Sequence, residues 1–406
     1  MTAVTDAAAI VDAAVRAAAA SGLASSSRAE RAAWLRAMAD ALAADSAELV
    51  AVAHRETHLS ETRLAGEVVR TATQLRFFAD VIEEGSYLEA TVDTPDPGLI
   101  PPRPDLRRML RPLGVVAVFA ASNFPFAFSV LGNDTASAFA AGCPVVVKAH
   151  PGHPELSRRV AEIGRAALER SGGPADALVL VEGMDAGLAL VRHPLVRGVG
   201  FTGSTRGGRA LFDLAVSRPD PIPFYGELGS VNPVVVTPAA AAEDPAGLAA
   251  GLAGSFTRDG GQYCTKPGLV FIPEGTAFEA ELVAAAGEAA GQRLLTDSMS
   301  DAFGAGSATL TQRDDVDVLV AGADADGESA PVVAAIDAAA FVADPDAFQE
   351  EHFGPLTLLV RYHDAGGDLA PALALLEGSL TGTVRHAASD DPELVALATE
   401  ALGRIA

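Results

Sequence analysis

The sequence of 406 residues is poor in cysteine, and Cys143 and Cys264 are the two that it contains. Two distant cysteines supply neither a disulfide framework nor the closely spaced ligands of a structural zinc site. We therefore expect neither kind of site, and no metal. So few cysteines are typical of a protein of the reducing cytosol, so we expect a cytoplasmic location.

The N-terminus lacks the basic start and the apolar run of a signal peptide, and no run of 18 or more strongly apolar residues predicts a membrane span. Positive charge is also scarce. The 29 lysine and arginine residues face 53 aspartate and glutamate residues, which gives a formal net charge of −24. An acidic surface repels nucleic acids and anionic membranes, so we expect neither as a partner. A local basic pocket for a small anion stays compatible with this charge.

Hydrophobic residues make up 49% of the chain, and its length exceeds that of one ordinary domain. Apolar residues recur at helical spacing in residues 1–90, whereas the proline-rich residues 94–105 predict an extended or turn-rich connector. Short apolar runs then alternate with helical stretches. This alternation predicts an α/β fold with parallel sheets covered by helices on both faces.

The predicted strands form two series, from which we predict two domains, residues 1–229 and 230–406. The first series is 115–120, 145–148, 177–182, 198–202 and 222–228. The second series is 232–236, 268–272, 331–336, 356–360 and 380–384. The intervening region 287–330 is rich in alanine, glycine and aspartate and gives no clear pattern.

The strongest local signal for chemistry is GGQYCTKPG (260–268), where Cys264 lies between a glycine-rich turn and a strand. Most cysteines are buried structural residues, and residue type alone favours that alternative. The flanking glycines let the backbone approach a ligand closely. A thiolate in such a turn can attack a carbonyl carbon, so the motif indicates a nucleophile.

Two further motifs place polar side chains at strand ends. Glu227 opens ELGSVNP (227–233) at the end of a predicted strand, where ligands bind in open α/β sheets. Asn123 in FAASNFPF (119–126) follows a buried strand, and its amide can donate to an oxyanion. A surface acid and an ordinary turn residue are the alternatives for these two positions.

Three further motifs are less specific, and the first two of them can hold a phosphorylated ligand. FTGSTRGGRA (201–210) is a strand, a glycine-rich turn and a helix start, which favours anions but departs from the common GxGxxG pattern. In VVVKAHPGHP (145–154), Lys148 and His150 leave a strand tip and can meet a phosphate, with a solvated loop as the alternative. QEEHFGP (349–355) places two acids before a Gly-Pro turn, and a plain helix end is its alternative.

All six segments, in this order, resemble the aldehyde dehydrogenase superfamily from about residue 25 to residue 406. Residues 102–154 are most similar to its α-ketoglutaric semialdehyde (2,5-dioxovalerate) dehydrogenases, which oxidise that semialdehyde to 2-oxoglutarate. The resemblance implies an aldehyde dehydrogenase-like fold with a Rossmann-type cofactor domain and an α/β catalytic domain. It also implies oxidation of a small aldehyde by NAD(P)⁺.

The resemblance implies a role for each matched residue. Cys264 is the nucleophile, and Glu227 is the general base that activates the thiol or the deacylating water. The Asn123 side chain and the Cys264 backbone N–H form the oxyanion hole. The implied cofactor contacts are Lys148 at the adenine ribose or its phosphate, Gly203 and Ser204 at the pyrophosphate, Glu351 at the nicotinamide ribose and Phe353 beside the nicotinamide.

The position three residues after Lys148 bears on cofactor choice. NAD-preferring relatives often carry a glutamate there for the 2′-hydroxyl, whereas this chain has Pro151 with His150 beside it. A lost carboxylate and a gained cation favour a 2′-phosphate. We therefore expect NADP⁺, with NAD⁺ as the alternative.

A semialdehyde that carries a distal carboxylate needs a basic partner. Arg258, six residues before Cys264, and Arg70, on a predicted helix, are the candidates, and Phe128 is expected to line the aldehyde tunnel. An ordinary surface location is the alternative for both arginines.

Chains of the resembled family continue past the point where this sequence stops, with a further strand, more active-site wall and a segment that pairs with a neighbouring subunit. The resembled family forms homo-oligomers. We therefore expect the C-terminal oligomerisation segment of that family to be missing from this chain. The alternatives are another semialdehyde or aliphatic aldehyde dehydrogenase, a truncated inactive homologue, and a CoA-acylating relative. The last group usually lacks the glutamate matched by Glu227.

Overall fold

The computed structural model describes residues 2–322 and 327–405, without the side chains of residues 2–6. The chain divides into two compact units, residues 1–228 and 229–406, called here the first and the second unit. The assignment of cofactor binding to one domain and of the nucleophile to the other stays a prediction.

The first unit contains the helices of the N-terminal half and a set of short strands. The helices are α1 (Thr2–Ala20), α2 (Arg28–Ala44), α3 (Ser46–Thr57), α4 (Glu61–Glu84), α5 (Asn133–Ala140), α6 (Pro154–Arg170), α7 (Met184–Arg192) and α8 (Thr205–Val216). The strands are β1 (Thr91–Asp93), β2 (Leu106–Arg108), β3 (Val115–Phe119), β4 (Val145–Lys148), β5 (Leu178–Val181), β6 (Val196–Thr202) and β7 (Phe224–Glu227). Short 3-10 turns occupy Leu23–Ser25, Ser86–Leu88 and Ala175–Ala177.

Strands β3 to β7 form a parallel sheet in the order β5-β4-β3-β6-β7. Each overlaps one run of the first predicted series. The valine-rich strands β3 and β4 suit a position that is covered on both faces, whereas β7 is largely exposed. The strand order reverses between β3 and β6. Ligands of doubly wound sheets bind beside the carboxyl ends of the strands at such a reversal.

The proline-rich connector is more ordered than the sequence predicted. Strands β1 and β2 flank it as an antiparallel pair, with Thr91 opposite Arg108, and a bridge joins Asp96 to Arg103. Both strands are largely exposed, so they lack the alternation of buried and exposed residues that marks a half-buried strand.

One segment corrects the expectation about long apolar runs. Residues 7–25 have the length and apolarity of a membrane span, with a mean hydropathy of 1.4. Length and composition are weak evidence, because a helix packed into a protein core passes the same test. Val11, Val15 and Ala18 of this segment are buried in the hydrophobic cluster of the first unit, together with residues of the sheet.

The second unit has its own set of elements. The helices are α9 (Pro238–Glu243), α10 (Pro245–Thr257), α11 (Ala277–Gly287), α12 (Asp297–Thr311), α13 (Ala338–Ala343), α14 (Pro345–Phe348), α15 (Ala370–Leu373) and α16 (Pro392–Gly403). The strands are β8 (Val234–Val236), β9 (Leu269–Pro273), β10 (Asp317–Ala321), β11 (Val332–Asp337), β12 (Leu356–Tyr362) and β13 (Thr383–Arg385). A 3-10 turn at Arg258–Gly261 and a π-helical turn at Ala365–Leu369 complete the unit.

The sheet of the second unit has the order β10-β11-β12-β9-β8-β13. Neighbouring strands are parallel except for the edge strand β10, which pairs antiparallel with β11. Leu269 and Phe271 of β9 belong to one hydrophobic cluster, whereas Val270 and Ile272 belong to another. Alternate side chains of a strand point to opposite faces, so this sheet is covered on both sides.

Candidate active site

Four predicted motifs meet at the carboxyl edge of the sheet in the first unit. Asn123 follows β3, Lys148 ends β4, Gly203 follows β6, and Glu227 ends β7. Parallel strands end at the same edge, so these residues lie along one rim that includes the strand-order reversal.

Glu227 and Gly203 are direct neighbours on this rim. Thr202 pairs with Glu227 in the β6–β7 register, and the Gly203 N–H donates to the Glu227 carbonyl oxygen at 3.0 Å. Glu227 is exposed at this rim. Burial raises the pKa of Asp134, and the charge of Glu227 raises it further.

The start of helix α8 lies at the same edge and fits an anionic ligand. Ser204 is the N-cap residue, and its hydroxyl accepts from the Gly207 N–H at 3.2 Å. A Cβ on Gly203 would lie 2.9 Å from the Phe201 ring, so the turn needs glycine. A side-chain-free turn leading into a helix N-terminus suits a pyrophosphate.

His150 does not provide the cation that the sequence analysis expected. Burial lowers its pKa to about 3, with help from His153 and Lys148. Its ring stacks on that of His153 at a centroid distance of 5.6 Å, and its Nδ1 accepts from the Gly152 N–H at 3.0 Å. His150 is therefore neutral at pH 7, and Lys148 is the cation at this strand tip. Burial lowers the pKa of Lys148 as well.

Helix α4 holds the segment that carries Asn123. The buried Glu67 carboxylate accepts from the N–H groups of Phe126 and Ala127 at 2.8 and 2.9 Å. The Arg63 guanidinium donates to the Asn123 carbonyl oxygen at 2.5 Å. Burial raises the pKa of Glu67, although these two N–H groups and the nearby arginines oppose that rise. The backbone around Asn123 is thus fixed at both ends, which sequence reasoning did not find.

Two of the predicted substrate residues, Arg70 of helix α4 and Phe128, lie against each other. The Arg70 guanidinium carbon lies 5.2 Å from the ring centroids of both Phe124 and Phe128. The two rings meet edge to face, with centroids 5.4 Å apart. An exposed guanidinium on two aromatic faces combines a cation with an apolar wall.

The predicted residues of the second unit collect at the amino edge of its sheet. The Cys264 turn precedes β9, the segment with Glu351 and Phe353 precedes β12, and Asn232 precedes β8. These three strands are neighbours in the sheet. Cys264, Glu351 and Phe353 are half-buried.

The backbone before Cys264 takes a sharp path. Asp259, Gly260 and Gly261 have φ values of 49, 68 and 68°. A Cβ on Gly261 would lie 2.3 Å from the Gly354 carbonyl oxygen. Glycine therefore lets the turn before Cys264 pack directly against the QEEHFGP segment. Two motifs that are about ninety residues apart in sequence are therefore in contact.

Asn232 fixes the chain at Cys264 itself. Its side-chain amide donates to the carbonyl oxygens of Cys264 and Lys266, at 2.7 and 2.9 Å. Its side-chain oxygen accepts from the Ser230 hydroxyl at 2.8 Å and from the N–H and hydroxyl of Thr381, both at 3.1 Å. Asn232 has a φ of 48°, a conformation that asparagine tolerates better than most residues.

Gln262 anchors the same turn from the other side. Its side chain donates to the Asp259 carbonyl oxygen at 3.0 Å and accepts from the Leu295 N–H at 2.8 Å. The glycine-flanked glutamine of the motif thus has a structural function. Asn232 and Gln262 together hold Cys264 in a fixed turn.

Arg258 lies close to the nucleophile turn, but a carboxylate already accompanies it. Its guanidinium is 4.0 Å from the Asp259 carboxylate and 5.6 Å from the Tyr263 ring centroid. The Tyr263 hydroxyl donates to the same carboxylate. The charge of Arg258 is therefore partly neutralised by Asp259, whereas the Arg70 guanidinium lies on two aromatic rings. Arg258 is the less suitable partner for a substrate carboxylate.

Within residues 2–322 and 327–405, the structure brings together no group of three histidine, cysteine, aspartate or glutamate residues that would hold a metal ion. The residues that sequence reasoning missed are Glu67, Asn232 and Lys266. Asn232 and Lys266 lie inside quoted motifs, but their partners are distant in sequence, so no local pattern marks them.

Residues 2–370 match the protein family described as "Aldehyde dehydrogenase family". The chain belongs to the aldehyde dehydrogenase family. Family membership makes it an NAD(P)-dependent oxidoreductase that acts on an aldehyde, as the motifs predicted.

Curated relatives of the aldehyde dehydrogenase carry more specific names. The chain is 45% identical over 372 residues to "Alpha-ketoglutaric semialdehyde dehydrogenase 2" of Azospirillum brasilense, which covers 90% of this chain and 70% of the relative. It is 38% identical over 367 residues to "Alpha-ketoglutaric semialdehyde dehydrogenase" of Acinetobacter baylyi, which covers 88% and 70%. The predicted resemblance within the family is thereby confirmed.

Solved structures show the same fold. An NAD-dependent benzaldehyde dehydrogenase of Corynebacterium glutamicum has a TM-score of 0.79 at 23% identity, over 97% of this aldehyde dehydrogenase and 84% of that chain. A bifunctional proline utilization A (PutA) protein has a TM-score of 0.79 at 24% identity, over 96% of this chain. The match spans 39% of that longer protein, and the predicted fold class is confirmed.

Proposed function

We propose that this aldehyde dehydrogenase oxidises α-ketoglutaric semialdehyde to 2-oxoglutarate, with NADP⁺ in preference to NAD⁺. The observation that carries the substrate proposal is a cluster in the first unit, in which Arg70 of helix α4 lies on Phe124 and Phe128 of the segment that follows Asn123. A guanidinium beside an apolar wall suits an aliphatic aldehyde with a distal carboxylate. The names of the two relatives point to the same substrate.

Cys264 carries the covalent chemistry in this proposal. Its thiolate adds to the aldehyde carbon, and the Asn123 amide with the Cys264 N–H stabilises the resulting oxyanion. Each such donor is worth about 3–4 kcal/mol of transition-state stabilisation. Loss of a hydride from the adduct leaves a thioester on Cys264. Water that is deprotonated by Glu227 then releases the carboxylate product and the thiol.

NAD(P)⁺, when bound, accepts the hydride from the substrate carbon. The residues proposed to hold it in the first unit are Lys148, His150, Gly203 and Ser204, and the glycine turn at the start of α8 supports that proposal. In the second unit, Glu351 and Phe353 are proposed to bind the nicotinamide ribose and ring. NADP⁺ preference rests on Lys148 and on Pro151, which replaces a carboxylate, because His150 is neutral.

The remaining expectations are part of the same proposal. We propose a cytoplasmic location and assembly with further copies of the chain, as in the family. Nucleic acids and membranes are not proposed as partners, given the net charge of −24.

Steady-state kinetics test the substrate. We would measure kcat/KM for α-ketoglutaric semialdehyde, succinic semialdehyde and butanal, each with NAD⁺ and NADP⁺, in the wild type and in Arg70→Ala and Arg258→Ala. Loss of a charge-assisted contact costs about 1.5–3 kcal/mol, so Arg70→Ala should lower kcat/KM for the carboxylated aldehydes about 10- to 100-fold more than for butanal.

Arg76→Ala is the matched control, since Arg76 lies on the same helix and its guanidinium pairs with exposed Asp40 at 2.6 Å. It should leave all rates within about twofold, because exposed ion pairs contribute little. If neither Arg70→Ala nor Arg258→Ala changes the preference for carboxylated aldehydes, both substrate assignments are wrong. Equal wild-type rates with and without a distal carboxylate would reject the substrate class while leaving aldehyde oxidation intact.

A further inference from the structure

Lysine is almost absent from this chain. Its sequence contains 27 arginines and two lysines, Lys148 and Lys266. Lys148 lies in the proposed cofactor site, whereas Lys266 has no role in the proposal above. Lys266 is only 3% exposed and lies two residues after Cys264. A buried ammonium is costly unless it is paired and hydrogen-bonded, so its surroundings are informative.

The Lys266 ammonium lies against the segment that carries Glu351. Its Nζ donates to the carbonyl oxygens of His352 and Leu356, at 2.7 and 2.9 Å. The negative charge of the Glu351 carboxylate raises the pKa of this ammonium. A compact ammonium can direct separate donors to these two carbonyl oxygens in a buried site, whereas a guanidinium is bulkier and holds its donors in a fixed planar fork. Lysine is therefore the cation that fits this position.

The backbone of Lys266 is fixed as well as its side chain. The Asn232 amide donates to the Lys266 carbonyl oxygen at 2.9 Å and to that of Cys264 at 2.7 Å. Lys266 thus joins the turn of the nucleophile to the segment 351–356 through a side chain that is held at both ends.

The protonation states of Lys266, Glu351 and His352 depend on one another. Burial lowers the pKa of Lys266 to about 8, and the Glu351 carboxylate opposes that shift. Burial raises the pKa of Glu351, whereas the Lys266 ammonium and the Ser230 backbone oppose that rise. Burial, followed by the ammonium, lowers the pKa of His352 to about 4. At pH 7, Lys266 is therefore mainly an ammonium beside a neutral His352.

We propose that Lys266 is a positioning residue for cofactor binding, whose ammonium ties the segment that carries Glu351 to the Cys264 turn. This inference rests on the proposed role of Glu351 at the nicotinamide ribose. It assigns the affinity for the cofactor partly to a side chain that touches neither cofactor nor substrate. Removing the ammonium removes both contacts to the carbonyl oxygens of His352 and Leu356, so the segment that carries Glu351 loses its link to the Cys264 turn.

Calorimetric titration with NADP⁺ and NAD⁺ tests the inference without turnover. Lys266→Met keeps the chain length without the charge, and we expect it to weaken binding of the preferred cofactor at least tenfold. Lys266→Arg should not restore binding, because its longer side chain and planar fork do not fit the buried site between the two carbonyl oxygens. Arg293→Met is the control, since its guanidinium pairs with Asp297 at the surface, and it should bind within twofold of the wild type.

A double variant tests whether Lys266 acts through Glu351. Lys266→Met combined with Glu351→Gln should bind the cofactor no more weakly than Glu351→Gln alone. Effects that multiply in the double variant, or a Lys266→Met that binds within twofold of the wild type, would overturn the inference. Wild-type protein that binds the cofactor but oxidises no aldehyde would instead reject the proposed function.

A second measurement applies even if Lys266→Met does not fold. In protein labelled with ¹³C at lysine Cε, the chain gives two lysine resonances, and Lys148→Met identifies the one from Lys266. We expect that resonance to titrate near pH 8 and to titrate at lower pH in Glu351→Gln, because the opposing carboxylate is lost. An identical titration in the wild type and in Glu351→Gln would show that Glu351 does not act on the Lys266 ammonium. That result would contradict the inference whether or not any cofactor binds.

Discussion

The side-chain amide of Asn232 donates to the backbone carbonyl oxygen of Cys264 at a distance of 2.7 Å. The nucleophile turn is therefore fixed by a residue from the motif that begins with Glu227. Asn232 also accepts from Ser230 and Thr381, so a single buried amide connects three segments of the second unit, at residues 230–232, 264–266 and 381.

Asn232→Asp is expected to impair both folding and catalysis. The aspartate keeps an oxygen for Ser230 and Thr381, but its other oxygen faces the carbonyl oxygens of Cys264 and Lys266. Leaving buried groups without a partner costs about 1–3 kcal/mol each, so we expect that loss in urea unfolding and a fall in kcat of about tenfold or more.

Asn232→Gly is the matched variant for the backbone. Glycine accepts the φ of 48° without strain, so Asn232→Gly removes the side-chain amide without straining the backbone, and the loss of kcat reports the missing amide more directly than the loss of stability, to which the flexibility of glycine also contributes. Wild-type kcat and stability in both variants would show that Asn232 does not hold the nucleophile turn.

Much of the fold follows from the sequence because the central strands are runs of β-branched residues, such as Val145–Val147 in β4. Strand β10 (Asp317–Ala321) was missed because it is a half-exposed edge strand in a region rich in alanine, glycine and aspartate. The hairpin of β1 and β2 was missed for the same reason, since exposed short strands carry no burial pattern.

The candidate site was predictable only in part. The motifs mark the residues with reactive side chains, and the resemblance orders them. His150 was wrongly expected to be a cation, because its neutral state arises from burial and stacking that only the folded chain provides. Lys266 and Asn232 were missed because their partners, such as Leu356 and Thr381, are far along the chain.

Glu67 should make stability depend on pH in a defined direction. Because burial raises its pKa in the folded state, folding favours the protonated carboxyl group. The contribution of the group is therefore fully present below its unfolded pKa of about 4.3 and is lost as pH rises through the folded value. Relative to Glu67→Gln, the wild type should gain stability as pH falls from 8 to 5.

Urea unfolding of the wild type and of Glu67→Gln at pH 5, 6, 7 and 8 measures this difference. The neutral glutamine removes the titration while keeping an oxygen for the N–H groups of Phe126 and Ala127. A difference that stays constant with pH, or that grows in the opposite direction, would be inconsistent with the account of Glu67.

Pro151→Glu should shift cofactor preference towards NAD⁺. Pro151 is exposed in the turn before α6, so the substitution leaves the core intact, and the new carboxylate would repel a 2′-phosphate held by Lys148. We expect the ratio of kcat/KM for NADP⁺ to that for NAD⁺ to fall at least about tenfold, which corresponds to about 1.4 kcal/mol. Pro151→Gln separates charge from backbone effects and should shift the ratio less. Equal ratios in all three proteins would place the 2′-phosphate elsewhere.

The central claim is that aldehyde oxidation passes through a thioester on Cys264. Glu227→Gln should retain acylation but lose water activation, so mixing it with α-ketoglutaric semialdehyde and NADP⁺ should trap the acyl group. Intact mass followed by peptide mapping should place one adduct on Cys264 and none on buried Cys143, whose thiol pKa is raised by burial. Product formation without any acylated Cys264 peptide, or undiminished turnover in Cys264→Ala, would contradict the account.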